Sequence, residues 1–237
     1  MNLRTFTLGM LTTFGFAWVF AVVLPFFKTR ELTPVYFNEV ADGKTDMYFP
    51  KRTGQVVNGA KVYAQNGCYV CHTQVVRPTY AGNDIHRDGW AGFKLDPDRG
   101  DTRRETNVFD YMGEDFAQIG VMRIGEDLSN VGSRYEKLAI DHNTKQKEAL
   151  GDAWNDTMKV TPQELLYEHL DNPRKVLSMR WSTCPSFHFM FEDKKHASSH
   201  PIPKPEARSL VAYLLSMKKN DAVPASMNYS PVKPAQK

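Results

Sequence analysis

Cys68-Tyr69-Val70-Cys71-His72 is the stretch on which the reading of this 237-residue chain turns. Two cysteines two residues apart, with a histidine directly after the second, form a c-type haem attachment signature. The chemistry sets the spacing. Each thiol makes a thioether to one porphyrin vinyl group, and two thiols on one helical turn reach both vinyls. His72 then lies beneath the iron and supplies the proximal imidazole. Two other chemistries use the same spacing. Structural zinc needs a second ligand pair close in sequence, but the third cysteine, Cys184, is distant and no histidine pairs with it at knuckle spacing. A thioredoxin-like dithiol follows a buried strand, whereas the residues before Cys68 carry a helical pattern. The expectation is one covalent haem c.

Upstream, residues 5–27 contain no charged side chain and are rich in Leu, Val, Phe, Ala, Gly and Thr. At about 1.5 Å per helical residue they span somewhat more than the roughly 30 Å of a bilayer's hydrocarbon core. The apolar run continues through Leu24-Pro25-Phe26-Phe27 to Lys28 and Arg30, longer than a signal peptide's. An uncleaved single-span anchor is expected, with Pro25 tolerated where the helix terminates. Arg4 on one side and Lys28 and Arg30 on the other leave the positive-inside rule undecided. Haem c is attached outside the bacterial inner membrane, which puts the N-terminus in the cytoplasm and the haem domain in the periplasm.

A net charge of +3 without a basic run gives no nucleic-acid signature. Beyond the anchor, residues 28–54 read as a polar connector, 55–220 as the helical domain and 221–237 as an extended tail. Val56, Ala60, Tyr63, Ala64 and Gly67 recur with helical spacing and lead into Cys68. Thr161-Pro162-Gln163-Glu164 is a capping box with Pro at the first helical position, opening a helix that stops at Asn172-Pro173. Ala207, Leu210, Val211, Leu214 and Leu215 mark a last helix, with Lys218 and Lys219 in its final turn. Residues 135–152 have room for a short polar helix. Residues 79–125, rich in Gly and charge, read as a surface excursion without a core of its own.

Gly59 and Tyr63 before the haem motif, with Leu210 and Tyr213 in the last helix, resemble class I cytochrome c domains, whose first and last helices cross at a small residue. The implied fold is mainly α: a transmembrane helix, then a class I cytochrome c-like haem domain with long loop insertions. A narrower likeness rests on the anchor, on Gly67 through Thr73-Gln74-Val75-Val76-Arg77-Pro78, on Ile124-Gly125-Glu126-Asp127-Leu128 with Val131-Gly132, and on His169-Leu170-Asp171-Asn172-Pro173-Arg174. This is similar to the mono-haem membrane-anchored subunit of cbb3-type cytochrome c oxidases. The resemblance implies a relay of electrons from a di-haem cytochrome subunit to a haem–copper catalytic subunit that reduces oxygen to water. No bond-making catalysis belongs to such a chain alone.

One departure concerns the sixth iron ligand. The family supplies a methionine in a Ser-x-Met-Pro segment; here Ser182-Thr183-Cys184-Pro185 puts Cys184 in its place. Cys184, the flanking Met179 or Met190, or an open position remain alternatives. Arg77 is a candidate haem-propionate partner, because a guanidinium fork suits a carboxylate. His169 reads as structural, Met122 and Met158 as core filler, and Trp90, Trp154 and Trp181 as packing or haem shielding. A stand-alone tethered electron shuttle and a periplasmic dithiol or metal-binding protein are the competing functions.

Overall fold

The structure, a computed structural model, describes residues 2–43, 45–48, 54–96, 100–176, 180–192 and 200–227. The chain divides into two compact units, Met1–Tyr48 and Phe49–Lys237.

In the first unit a continuous helix, α1 (Leu3–Thr29), is long and apolar enough to cross a membrane. Thr7, Thr12, Thr13 and Thr29 turn their hydroxyls back onto carbonyls of the preceding turn. These hydroxyls are thereby satisfied within the helix, as an apolar surrounding would require. Pro25 lies near the end of the helix, as expected, and does not break it. Instead the turn before it, Val19–Val23, widens to π register, with Leu24 N–H donating to the Val19 carbonyl. Proline lacks an N–H and its ring crowds the carbonyl four residues back, and the wider turn absorbs both defects. The connector departs from expectation. Tyr36 bridges Met47 in antiparallel fashion, Phe37 and Tyr48 meet edge to face at 6.2 Å, and Glu39–Asp42 forms one helical turn.

The second unit is mainly helical: α2 (Gly54–Gln65), α3 (Val131–Leu150), α4 (Pro162–Asp171) and α5 (Pro205–Ser216), with a two-residue antiparallel ribbon of β1 (Phe191–Glu192) and β2 (Ile202–Pro203). The most extensive packing is α2 against α5, and Gly59 makes it possible. A Cβ at Gly59 would lie 1.9 Å from the Ser209 carbonyl oxygen and 2.6 Å from Tyr213 Cβ. Val56, Tyr63, Leu166, Leu210, Val211 and Leu214 fill the core around the crossing, each buried large side chain contributing about 1.5–3 kcal/mol. The buried stripe of α2 is Val56, Gly59, Val62 and Tyr63; Ala64, expected inside, is exposed. Gly67, at φ +68°, breaks the helix from the single turn Cys68–Cys71.

Three further expectations change. The helix foreseen within 135–152 is the longest of this unit, running Val131–Leu150, and only Val131, Gly132, Ser133 and Ala139 of it are buried. So little apolar area leaves almost no periodic signal. Lys218 and Lys219 lie beyond the end of α5; Lys219 is buried and donates to Asp110 Oδ2 at 2.7 Å. The tail begins packed, with Pro224 and Met227 almost inaccessible.

Residues 79–125 are not a mere surface excursion. Val76, Ile85 and Ala91 have no exposure and form a second small core. Around it, fully buried Asp84 accepts from Arg77 Nε (3.0 Å) and Nη2 (2.9 Å), and from Arg123 Nη1 (2.8 Å) and Nη2 (2.7 Å). Burial alone would raise the Asp84 carboxyl, but the hydrogen bonds from Arg77 and Arg123 hold it well below the usual carboxylate range. Asp127, also fully buried, accepts from Thr73 Oγ1 (2.6 Å) and the Val75 amide (2.8 Å). Loop chain is held here by ion pairs where the helices are held by apolar area.

Candidate functional site

Cys68, Cys71 and His72 line one cavity of about 750 Å³, a volume in the range of cofactor and ligand pockets. Leu166, Leu170, Leu210 and Leu214 form its helical wall; Trp90, Arg123, Gly125 and Glu126 belong to the loop wall.

His72 is the most constrained of these groups. Segment 119–128 runs along the motif, with Val121 N–H donating to the Tyr69 carbonyl, Gly125 N–H to Cys71 and Leu128 N–H to Thr73, at 2.7–2.9 Å. Its ring lies on Gly125, where a Cβ would come within 2.2 Å of His72 Cε1. His72 Nδ1 is 2.8 Å from the Glu126 carbonyl oxygen. A carbonyl only accepts, so Nδ1 carries the proton, and in the neutral imidazole the lone pair is on Nε2. A bond of this kind orients an imidazole that binds a metal and raises its basicity. Gly120, at φ +92°, lets the strap pass against the His72 carbonyl, which a Cβ would meet at 2.2 Å.

Cys68, Cys71 and Cys184 form no disulfide, and all three line the cavity. Burial pushes the Cys68 thiol up to about 12, with Cys184 and Cys71 adding to the shift. A dithiol exchanger wants the opposite, a depressed thiol. Among the described residues no group of three or more His, Cys, Asp or Glu side chains converges to hold a metal ion, so the zinc alternative finds no ligand set.

Arg77, read as a candidate propionate partner, gives its Nε and Nη2 to Asp84, and it is not among the residues lining the cavity. The neighbouring Asp84, seven residues on in a loop, was not a partner that spacing could reveal. Arg134, on α3, lines the cavity instead. Its Nη2 donates to the Asp127 carbonyl at 2.7 Å, while Nη1 is buried with no acceptor among the described residues. A carboxylate in the cavity would complete it.

Of the distal candidates, Cys184 lines the cavity, and its Sγ donates weakly to the Pro185 carbonyl at 3.6 Å. Burial and the nearby Cys71 raise its thiol, so it is uncharged. Met190 is buried in the helical core and does not line the cavity. Met179 lies outside the described residues, and Met122 and Met158 are exposed. Trp90 and Trp181 reach the cavity, Trp181 from an exposed position; Trp154 does not. His169, read as structural, is in the cavity wall with its Nδ1 buried. Burial, with the His72 ring second, pulls it down to about 4, leaving it neutral. The signal was present in the spacing: His169 follows Leu166 by three residues on the buried stripe of α4.

No protein-family model matches the chain, and no curated protein matches it.

Proposed function

We propose that this chain is a membrane-anchored mono-haem c-type cytochrome that relays electrons, in the manner of the mono-haem subunit of cbb3-type oxidases. The observation that carries the reading is His72. Its Nδ1–H is tied to the Glu126 carbonyl, and two thiols and an open lone pair share one cavity with it. The residues fit the group: the orphaned Arg134 Nη1 suits a haem propionate, and Gly125 makes the space against which the proximal ring lies flat. When bound, the haem iron would take up and release one electron at a time. The chain's own part is to hold and shield. Cys68 and Cys71 fix the porphyrin edge covalently, His72 supplies the proximal nitrogen, and the leucines of α4 and α5 keep water from the ring face. Helix α1 ties the domain to the membrane, with the haem side in the periplasm of the bacterial inner membrane.

Partner subunits are part of the proposal: a di-haem cytochrome upstream and a haem–copper oxidase subunit downstream. Phe116, Ile119, Val121, Met122 and Ile124 are exposed beside the haem motif. Such an apolar surface favours a permanent neighbour over the charged docking ring of a free shuttle.

Haem staining of the full chain on a denaturing gel tests the core of this reading. A band with peroxidase activity, lost in Cys68→Ala/Cys71→Ala, is expected. A chain of bare polypeptide mass, made in cells that mature other c-type cytochromes, would end it. Purification in mild detergent tests the complex: co-migration with a multi-span haem–copper subunit is expected, and a lone haem-bearing chain supports the tethered shuttle instead.

A further inference from the structure

His72 is held by a strap that itself has to be held, and one side chain stands where that is done. Segment 119–128 meets the motif through single backbone bonds, from Val121 N–H to Tyr69, Gly125 N–H to Cys71 and Leu128 N–H to Thr73. Its Glu126 carbonyl accepts from His72 Nδ1. Between these points the strap carries Arg123, which lines the cavity with its side chain only 19% exposed. Arg123 Nε donates to Thr73 Oγ1 at 2.8 Å and Nη2 to the Val75 carbonyl at 2.7 Å. Nη1 and Nη2 also donate to the two oxygens of buried Asp84, at 2.8 and 2.7 Å. Asp127, four residues further along the strap, closes the ring: it accepts from Thr73 Oγ1 at 2.6 Å and lies 3.6 Å from Arg123 Nη2.

Other cations line the cavity, but they are engaged elsewhere. Arg87 and Lys137 stand over the rings of Trp90 and Phe93, at 4.4 and 5.4 Å, and Arg134 Nη2 donates to the Asp127 carbonyl. Among the described residues Arg123 is the cation that bonds the chain directly after His72. The residue type matters. A guanidinium presents planar donors at fixed angles and serves these four acceptor atoms together, whereas an ammonium is a point charge on a flexible stem. A clamp of this kind fixes Thr73 against the strap, and thereby how the Glu126 carbonyl stands to the His72 ring. The strength of an Nδ1–H bond is a lever on the basicity of a ligating imidazole, and so on the potential of its iron.

We propose that Arg123 is the positioning residue of His72: it locks the strap to the chain after the motif, and so sets the His72–Glu126 hydrogen bond and with it the haem potential. The assignment rests on the haem reading above and deepens it. Loosening the clamp weakens the Nδ1–H bond and makes the imidazole a poorer donor. The oxidised iron then loses stabilisation, and the potential rises.

The test uses the full chain in mild detergent with its haem attached. Arg123→Lys keeps the charge, so any through-space effect on the iron stays while the clamp on four acceptors is lost. Its midpoint potential should rise above that of the wild type, and the paramagnetically shifted ring-proton resonances of His72 in the oxidised protein should move. Thr73→Val removes one acceptor at nearly constant size and should shift both in the same direction by less; it carries the test if the lysine variant does not fold. Arg77→Lys disturbs the same Asp84 pairing but bonds neither Thr73 nor the strap. It should lower the unfolding midpoint and leave the potential and the His72 resonances where they were. Clamp variants with the wild-type potential and resonances, or an Arg77→Lys that moves them as far as Arg123→Lys does, would overturn the assignment while leaving the haem reading intact. A wild type without covalent haem would overturn both.

Discussion

The two walls of the cavity are built by opposite means. On one side α2, α4 and α5 pack Tyr63, Leu166, Leu170, Leu210 and Leu214 by area alone, with Gly59 setting how close the helices come. On the other, the chain from Thr73 to Leu128 has few regular elements. It is pinned by two buried carboxylates, Asp84 and Asp127, between Arg77, Arg123 and Thr73. The first kind of wall is non-directional and tolerates small shifts. The second depends on each partner being present, since a buried charge left alone is strongly unfavourable. His72 belongs to the second wall, held by Glu126 and Gly125. Substitutions that strike one wall and spare the other test this division.

Asp84→Asn should have the largest effect. It removes the charge that faces both Arg77 and Arg123 while keeping the side chain's size. Removing one partner from a buried ion pair costs about 3–5 kcal/mol. Denaturant unfolding of the full chain in mild detergent should show a midpoint loss of that order. The same carboxyl has a pH signature. Its folded-state affinity for protons is depressed below the ordinary carboxylate value, so its contribution is complete above about pH 4 and is lost as pH falls further. The acid limb of the wild-type stability profile should therefore be steeper than that of Asp84→Asn. Equal slopes would mean that Asp84 carries no linked proton and that the loop wall is held by something else.

Gly59→Ala strikes the helical wall. The added Cβ meets backbone, at 1.9 Å from the Ser209 carbonyl, so no rotamer relieves it and α2 must move off α5. Overpacking of this kind costs about 1–3 kcal/mol. Circular dichroism in the aromatic region should change as the Tyr63 and Tyr213 rings, now 5.5 Å apart, separate. An unchanged aromatic signal and midpoint would remove Gly59 from the crossing.

This division also explains what could be read from the chain in advance. The helices on either side of the crossing, the capped helix and the Cys-x-x-Cys-His turn depend on residues within one or two turns, and periodicity and caps report those directly; that the two helices cross at Gly59 came only from the resemblance to class I cytochromes. The loop wall depends on pairs such as Arg123 with Asp84, 39 residues apart, and Val75 with Asp127, 52 apart. No local pattern marks them, and the pairing of Arg77 with Asp84 was accordingly not foreseen. Helix α3 was underread for a different reason, its buried face being only a few small residues. His169 lay in plain view on a correctly placed helix. A capping box beside it drew the reading toward structure, and only the cavity revealed which way that face looks.

Thr161→Ala should have the smallest effect and serves to sharpen the contrast. Thr161 Oγ1 accepts from the Glu164 amide, and the Glu164 carboxylate accepts in turn from the Thr161 amide at 2.7 Å. Both bonds are local to the first turn of α4 and exposed to water, so their loss costs about 1 kcal/mol, as for other N-caps. The expected result is a small shift of the unfolding midpoint with no change in denaturant slope. The spectrum of a haem held by His72, as proposed, should stay intact, because Glu126 and Gly125 belong to the other wall. If this exposed cap instead proved as costly as Asp84→Asn, the start of α4 would be bearing load for the loop wall as well. The two halves of the cavity would then be one cooperative structure.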